Sequence, residues 1–237
     1  MAGSISDMKF TYTTTGADAS SSFSLDSTYA WEGTQSLKFT DTTIPCGAFP
    51  TTATNTDATG GLIRMRHMIT DYSTRTANSW SRVGPWAMFQ DSADTEYGII
   101  FAAYQNLPGT DDASNYVYFD MRTVDNSGSC QVLNNSETSP YYYITESGKT
   151  NPKFSDQDWI TLELRWEYID SSYISGTDNY LAYDGRVYNA DMSDLIWQTA
   201  GITDEISVRT SGLTGMFFQL GNSGVDTWVD YFESYKV

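Results

Sequence analysis

Between Trp159 and Tyr168 every second side chain is apolar: Ile160, Leu162, Leu164, Trp166 and Tyr168 alternate with Thr161, Glu163, Arg165 and Glu167. A helix repeats every 3.6 residues and cannot place five apolar residues in strict alternation; a strand, with its period of two, does so naturally. The pattern recurs at Tyr116–Arg122, where Val117, Phe119 and Met121 point one way and Tyr116, Tyr118, Asp120 and Arg122 the other. It recurs at Leu62–Ile69, with Ile63, Met65, His67 and Ile69 opposite Arg64, Arg66 and Met68. Trp86–Phe89 and Tyr97–Tyr104 read as strands around a polar turn, and Leu37 and Phe39 share a face after a turn at Glu32-Gly33. Tyr180–Tyr183 and Arg186–Tyr188 flank Asp184-Gly185, a hairpin signal. Phe10, Tyr12, Phe23 and Leu25 suggest a first hairpin, and Gln131–Leu133 and Tyr141–Thr145 two short strands. Asp191–Trp197 fits a helical turn or a strand, and Ile206–Val208 a further strand. No amphipathic helix, linker or repeat interrupts the series. About ten to thirteen strands without helical cover must close on themselves as a sandwich or barrel. The expectation is one all-β, antiparallel jelly-roll sandwich spanning 1–237, a usual length for such a domain.

The last stretch ties the two ends of the chain together. Gly215–Gly221 and Asp226–Val237 are apolar runs on either side of a Gly-containing turn, which reads as an antiparallel pair. Strict alternation puts Trp228, Asp230 and Phe232 on one face and Val229, Tyr231, Tyr235 and Val237 on the other. Large side chains on both faces imply a central, covered strand. Thr40–Gly61 and Asp71–Pro85 lack periodicity and read as loops.

Aromatic residues make up 15% of the chain and charged residues only 18%, so its surface is built largely from Ser, Thr, Asn, Gly and Tyr. That composition suits an extracellular or virion surface. The net charge of −17 argues against nucleic acid as a partner. Cys46 and Cys130 show no metal-ligand spacing and read as free thiols. The first residues carry no secretory signal, and no run approaches the roughly 18 apolar residues of a membrane span.

Three segments, in order, resemble the concanavalin A-like jelly-roll superfamily of legume lectins, laminin G-like domains, family 16 glucanases and carbohydrate-binding modules. They are Trp31-Glu-Gly-Thr-Gln-Ser-Leu-Lys-Phe39, Asp158-Trp-Ile-Thr-Leu-Glu-Leu164 (followed by Asp184-Gly185) and Trp228-Val-Asp-Tyr-Phe-Glu-Ser-Tyr235. The resemblance implies the fold and a structural calcium ion on the closing strand, with Asp230 as its side-chain ligand and Gly33 giving a carbonyl. Calcium takes six to eight oxygens, so further ligands would be needed. The alternative is that Asp230 bonds within the sheet. No other cofactor is required.

Family 16 glucanases carry Glu-x-Asp-x-x-Glu on one strand, and this chain has no such run. Glu163 and Glu167 share a face but stand roughly 13 Å apart along a strand, beyond either glycosidase geometry. Jelly-roll alginate lyases use Arg, Gln-x-His and Tyr. Tyr180-Leu-Ala-Tyr-Asp-Gly-Arg-Val-Tyr-Asn is distantly similar to one of their segments, but the only histidine, His67, falls on an apolar strand face. No catalytic residue is assigned, and the expectation is a non-enzymatic protein. Sugar binding asks only for aromatic rings and a few fixed polar partners. Tyr116, Tyr118, Asp120 and Arg122 form such an outward row, with Arg64, Arg66, Glu163 and Arg165 expected on the same sheet and Trp80, Trp86 and Tyr141–Tyr143 as further candidates. The same row suits a protein contact. Asp91, Asp94 and Glu96, and Asp111 with Asp112, read as turn caps rather than calcium ligands. The leading expectation is a structural protein resembling jelly-roll decoration or fibre proteins of phage virions, partnered by other capsid or fibre proteins or by itself. The alternatives are a carbohydrate-binding module and a divergent polysaccharide hydrolase or lyase.

Overall fold

The alternating segments form strands that sort into two antiparallel sheets. The computed structural model describes residues 8–12, 17–40, 45–50, 60–69, 79–89, 96–107, 116–125, 130–133, 142–143, 154–155, 157–169, 180–203, 212–221 and 226–236. Its strands are β1 (Met8–Tyr12), β2 (Phe23–Asp26), β3 (Ser36–Phe39), β4 (Cys46–Pro50), β5 (Gly60–Met68), β6 (Ser79–Phe89), β7 (Glu96–Leu107) and β8 (Tyr116–Asp125). They continue with β9 (Cys130–Val132), β10 (Tyr142–Tyr143), β11 (Trp159–Ile169), β12 (Tyr180–Asn189), β13 (Leu195–Thr203), β14 (Gly212–Gly221) and β15 (Thr227–Lys236). Sheet I runs β1-β4-β14-β6-β7-β8-β10, with β9 also on β8; sheet II runs β13-β12-β11-β5-β15-β3-β2. Sequence neighbours repeatedly change sheet, the weave of a jelly roll. No helix among the described residues is long and apolar enough to cross a membrane.

One hydrophobic cluster draws on the inner faces of both sheets, from Ile63, Met65, Leu162 and Leu164 on one side to Phe101, Phe119, Met121 and Phe218 on the other. Burying each such side chain contributes about 1.5–3 kcal/mol. Phe10 of β1 stacks on Phe23 of β2 with ring centroids 4.3 Å apart. These two strands lie in different sheets, so the expected first hairpin is instead a contact across the sandwich.

Other local readings are corrected by what the residues pack against. β12 runs unbroken through Asp184-Gly185, with Gly185 paired to Leu164 and Thr199. A Cβ on Gly185 would come within 2.5 Å of the Phe101 ring, so this glycine makes room for a side chain of the facing sheet rather than a turn. β14 and β15 are not a pair. β14 lies between β4 and β6, whereas β15 lies between β5 and β3, central as its two-sided pattern implied. A bulge between Val229 and Tyr231 shifts β15's phase by one residue. Val229 and Phe232 therefore pack on the core, while Trp228, Tyr231 and Glu233 pair on the outer side with Lys38, Arg66 and Arg64.

The expected loops hold one more strand, β4, and the first half of the strand expected only at Trp86–Phe89. β4 falls within 40–61, and β6 begins at Ser79 despite Gly84-Pro85. The β6–β7 ladder is interrupted opposite that dipeptide, where a Cβ on Gly84 would sit 2.0 Å from the Phe101 carbonyl oxygen. β13 is also longer than the Asp191–Trp197 pattern suggests, since it extends to Thr203. Ile206–Val208, Asp91, Asp94, Asp111, Asp112 and Tyr141 lie outside the described residues.

Candidate functional site

Cross-strand register assembles an aromatic row on the outer face of sheet I. Arg82 of β6 pairs with Tyr104 of β7, which pairs with Tyr118 of β8. Trp80 and Tyr104 stack at 5.6 Å, Tyr104 and Tyr118 at 4.7 Å, and Tyr118 and Tyr116 at 6.2 Å. The ring planes are within 28° of parallel, so the rings cover one another's faces. The Arg82 guanidinium carbon lies 5.6 Å from the Trp80 ring centre and 5.4 Å from that of Tyr104, and Nη1 donates to Gln219 Oε1 at 2.8 Å.

Asp120 lies on the same face, fully buried. Its Oδ2 accepts from Arg122 Nε at 2.7 Å and Nη2 at 2.5 Å. Asp120 Oδ1 and Arg82 Nε meet no hydrogen-bond partner among the described residues. Burial, reinforced by the Asp120 charge, pushes the Tyr118 phenol up to about 12, and burial raises that of Tyr104. Both phenols therefore remain protonated donors at neutral pH. Sequence reasoning named Tyr116, Tyr118, Asp120, Arg122 and Trp80. It missed Tyr104 and Arg82, which join the row only through strand register. Trp86 instead belongs to a neighbouring apolar cluster with Phe49, Ile100 and Phe217, where it is buried. Tyr142 packs against Phe119 and Phe154, each at 5.8 Å.

Arg64, Arg66 and Arg165 do not join this row; they lie on the outer face of sheet II. There Arg186, Glu163, Arg64 and Glu233 alternate in register across β12, β11, β5 and β15. Glu163 is fully buried, receiving Arg64 Nε at 2.5 Å and Arg165 Nε at 3.0 Å. It is the hub of an ion-pair lattice. His67 is sealed in the core, with Nδ1 3.3 Å from the Trp228 carbonyl oxygen and Nε2 2.7 Å from Gln105 Nε2. An Nδ1–H donating to the carbonyl and an amide N–H donating to Nε2 satisfy both contacts. Neither Cys46, which is buried, nor half-buried Cys130 is in a disulfide.

At the β15 bulge Asp230 is buried, and its Oδ2 accepts the peptide N–H groups of Trp31 and, at 2.6 Å, Glu32. Glu32 in turn receives Arg66 Nη1 at 2.8 Å, and the Arg66 guanidinium carbon stands 4.9 Å from the Tyr231 ring centre and 5.5 Å from that of Trp31. Gly33 completes the turn with φ +74°. These groups do not fit a calcium ion held by Asp230 and Gly33. The turn aims N–H dipoles at the carboxylate, and a cation there would meet their positive ends. Among the described residues no three His, Cys, Asp or Glu side chains gather to hold a metal.

Beside this turn lies a cleft of about 360 Å³. Its walls include Trp31, Trp159, Asp158, Asn189, Asp191 and Asp194. The Asn189–Asp194 turn braces itself: the Asn189 amide donates to Ser193 Oγ at 2.9 Å, and the Asp194 and Ser193 N–H groups donate to Asn189 and Asp191 at 3.0 Å each. The hydrogen bond from Ser193 N–H holds the Asp191 carboxyl below its ordinary range.

No family model matches the chain, and no curated protein does. Solved structures do. The chain is similar to a lectin from Bauhinia forficata, solved in complex with GalNAc, at TM-score 0.51 and 10% identity, covering 99% of this chain and 95% of the lectin. It is also similar to the marine PL-14 alginate lyase from Aplysia kurodai at TM-score 0.47 and 10% identity, covering 92% and 88% of the two chains. The enzymatically active domain of bacteriophage CBA120 tailspike protein 2 matches at TM-score 0.41 and 11% identity, over 97% of this chain and 29% of that one. The fold is the concanavalin A-like jelly roll. At this identity the likeness is one of fold.

Proposed function

We propose that this chain is a non-catalytic glycan-recognition module that reads its ligand with the Trp80–Tyr104–Tyr118–Tyr116 row. The observation that carries this reading is the row itself: Trp80, Tyr104, Tyr118 and Tyr116 stack one on the next along the outer face of sheet I, beside the Arg82 guanidinium. Aromatic rings flanked by fixed polar groups are what a sugar requires of a protein surface. The phenol hydroxyls and the Arg82 guanidinium supply further directional partners along the row. The lectin likeness supports the fold that presents this face. The test is a glycan array probed with the wild-type chain and Tyr118→Ala, each with and without chelator. Selective binding lost in the variant and indifferent to chelator supports the reading; a blank array overturns it.

The same row supports a second reading, a structural subunit on a virion or other extracellular surface, because Tyr, Trp and Arg are the residues that anchor protein contacts. Edge strand β13 adds exposed apolar side chains at Leu195 (45%) and Ile202 (42%), which a capsid or fibre neighbour, or a second copy, would cover. Light scattering tests this: a monomer at high concentration removes the self-assembly form of it.

A further inference from the structure

The cleft beside the Asp230-held turn differs in chemistry from the aromatic row. It is concave, at about 360 Å³, which is room for one or two sugar rings. Its described walls combine two tryptophans, Trp31 and Trp159, with three carboxylates, Asp158, Asp191 and Asp194, and the amide of Asn189; the Arg66 guanidinium carbon stands 5.5 Å from the Trp31 ring centre. Trp31 is 43% exposed, unusual for so large an apolar side chain, and it belongs to the turn fastened by Asp230.

We infer that this cleft binds an amine-bearing sugar, a glucosamine-type unit, with Trp31 as the stacking wall and Asp158, Asp191 and Asp194 attracting the ammonium group. A pyranose needs an apolar face to lie against and hydroxyl partners around its rim, and the tryptophans and Asn189 provide them. A protonated amine gains further from the carboxylates. The chain's net charge of −17 raises the local concentration of any cation, and the cleft converts that general attraction into a site. Asp230 is a positioning residue here. Its carboxylate binds the Trp31 and Glu32 amides directly and so sets the wall.

The experiment is an NMR titration at pH 6 that follows the tryptophan indole N–H resonances of the whole chain. The probes are the glucosamine disaccharide and its di-N-acetylated counterpart, which share a skeleton and differ in charge. The expected result is saturable shifts of two indole signals, at least tenfold tighter binding of the amine form, and at least tenfold loss in Trp31→Ala and in Asp158→Asn/Asp194→Asn. Asp230→Asn weakens it without abolishing folding, as checked by thermal melting. Equal affinity for the two probes, or amine binding that survives Trp31→Ala, overturns the inference, because attraction by net charge alone would behave so. Absence of any saturable shift overturns it as well. None of these outcomes bears on Tyr118, so the aromatic row stands or falls separately.

Discussion

Acidification should destabilise this protein through one residue before its carboxylates begin to titrate. His67 is the single histidine in the chain. It is fully enclosed, with both ring nitrogens committed, to the Trp228 carbonyl and to Gln105. Burial lowers its pKa from 6.5 to about 4, against the small opposing pull of the Trp228 carbonyl. The folded state thus resists a proton that the unfolded chain accepts. Stability is full above about pH 6.5 and declines as the pH falls toward 4. At about 1.4 kcal/mol per pH unit, the whole gap amounts to about 3 kcal/mol, and the part between pH 7 and pH 5 to about 2 kcal/mol. The carboxylates held low by their hydrogen-bond and charge partners, Asp26 and Glu233 among them, contribute only below that window. Urea unfolding at pH 7, 6 and 5 should therefore show a loss of about 2 kcal/mol in the wild type and a nearly flat profile in His67→Gln. NMR of the lone imidazole should find the Nδ1–H tautomer unprotonated down to pH 5. A ring that titrates near 6.5, or a wild-type profile as flat as the variant's, refutes the reasoning.

Gly185→Ala should lower stability by about 1–3 kcal/mol in thermal melts, because the new methyl meets the Phe101 ring at 2.5 Å; an unchanged melting temperature would mean that β12 is broken there after all. Glu163→Gln should cost about 2 kcal/mol by urea unfolding, since it leaves Arg64 and Arg165 facing a neutral hub, and high salt should reduce that cost; a neutral effect would show the lattice to be ornamental to stability. Asp230→Ala removes the acceptor of two peptide N–H groups and should cost about 2 kcal/mol. Calcium should leave the wild-type melting temperature unchanged; a rise of several degrees would restore the metal site implied by the family resemblance.

Strand identity was legible wherever one face is apolar and the other polar, as at β11 and β8, because burial imposes a period of two. The errors arose where a residue serves a neighbour distant in sequence. Gly185 resembles a turn signal, yet it yields space to Phe101 of the facing sheet. Gly84-Pro85 resembles a breaker, yet it lies in a strand because β14 still pairs with Pro85 while the ladder to β7 lapses. The bulge at Asp230 shifts a phase that local alternation cannot register. The row is an intermediate case. Tyr116, Tyr118, Asp120 and Arg122 follow from the pattern of a single strand, whereas Tyr104 and Arg82 arrive from β7 and β6. Arg64, Arg66 and Arg165 also face outward as expected, but from the opposite sheet, since outward direction along a strand carries no information about which sheet it joins. The cleft was least legible, because its walls come from a turn near Trp31 and a turn after β12.

The most direct test of glycan recognition by the aromatic row is calorimetric titration of the tightest array glycan against the wild-type chain and Tyr104→Ala, with thermal melts to confirm that both fold. The account predicts saturable binding to the wild type and at least tenfold weaker binding to the variant, which removes the ring stacked on both Trp80 and Tyr118. Equal affinity in the two folded proteins would contradict it and move the role of this face to protein contact.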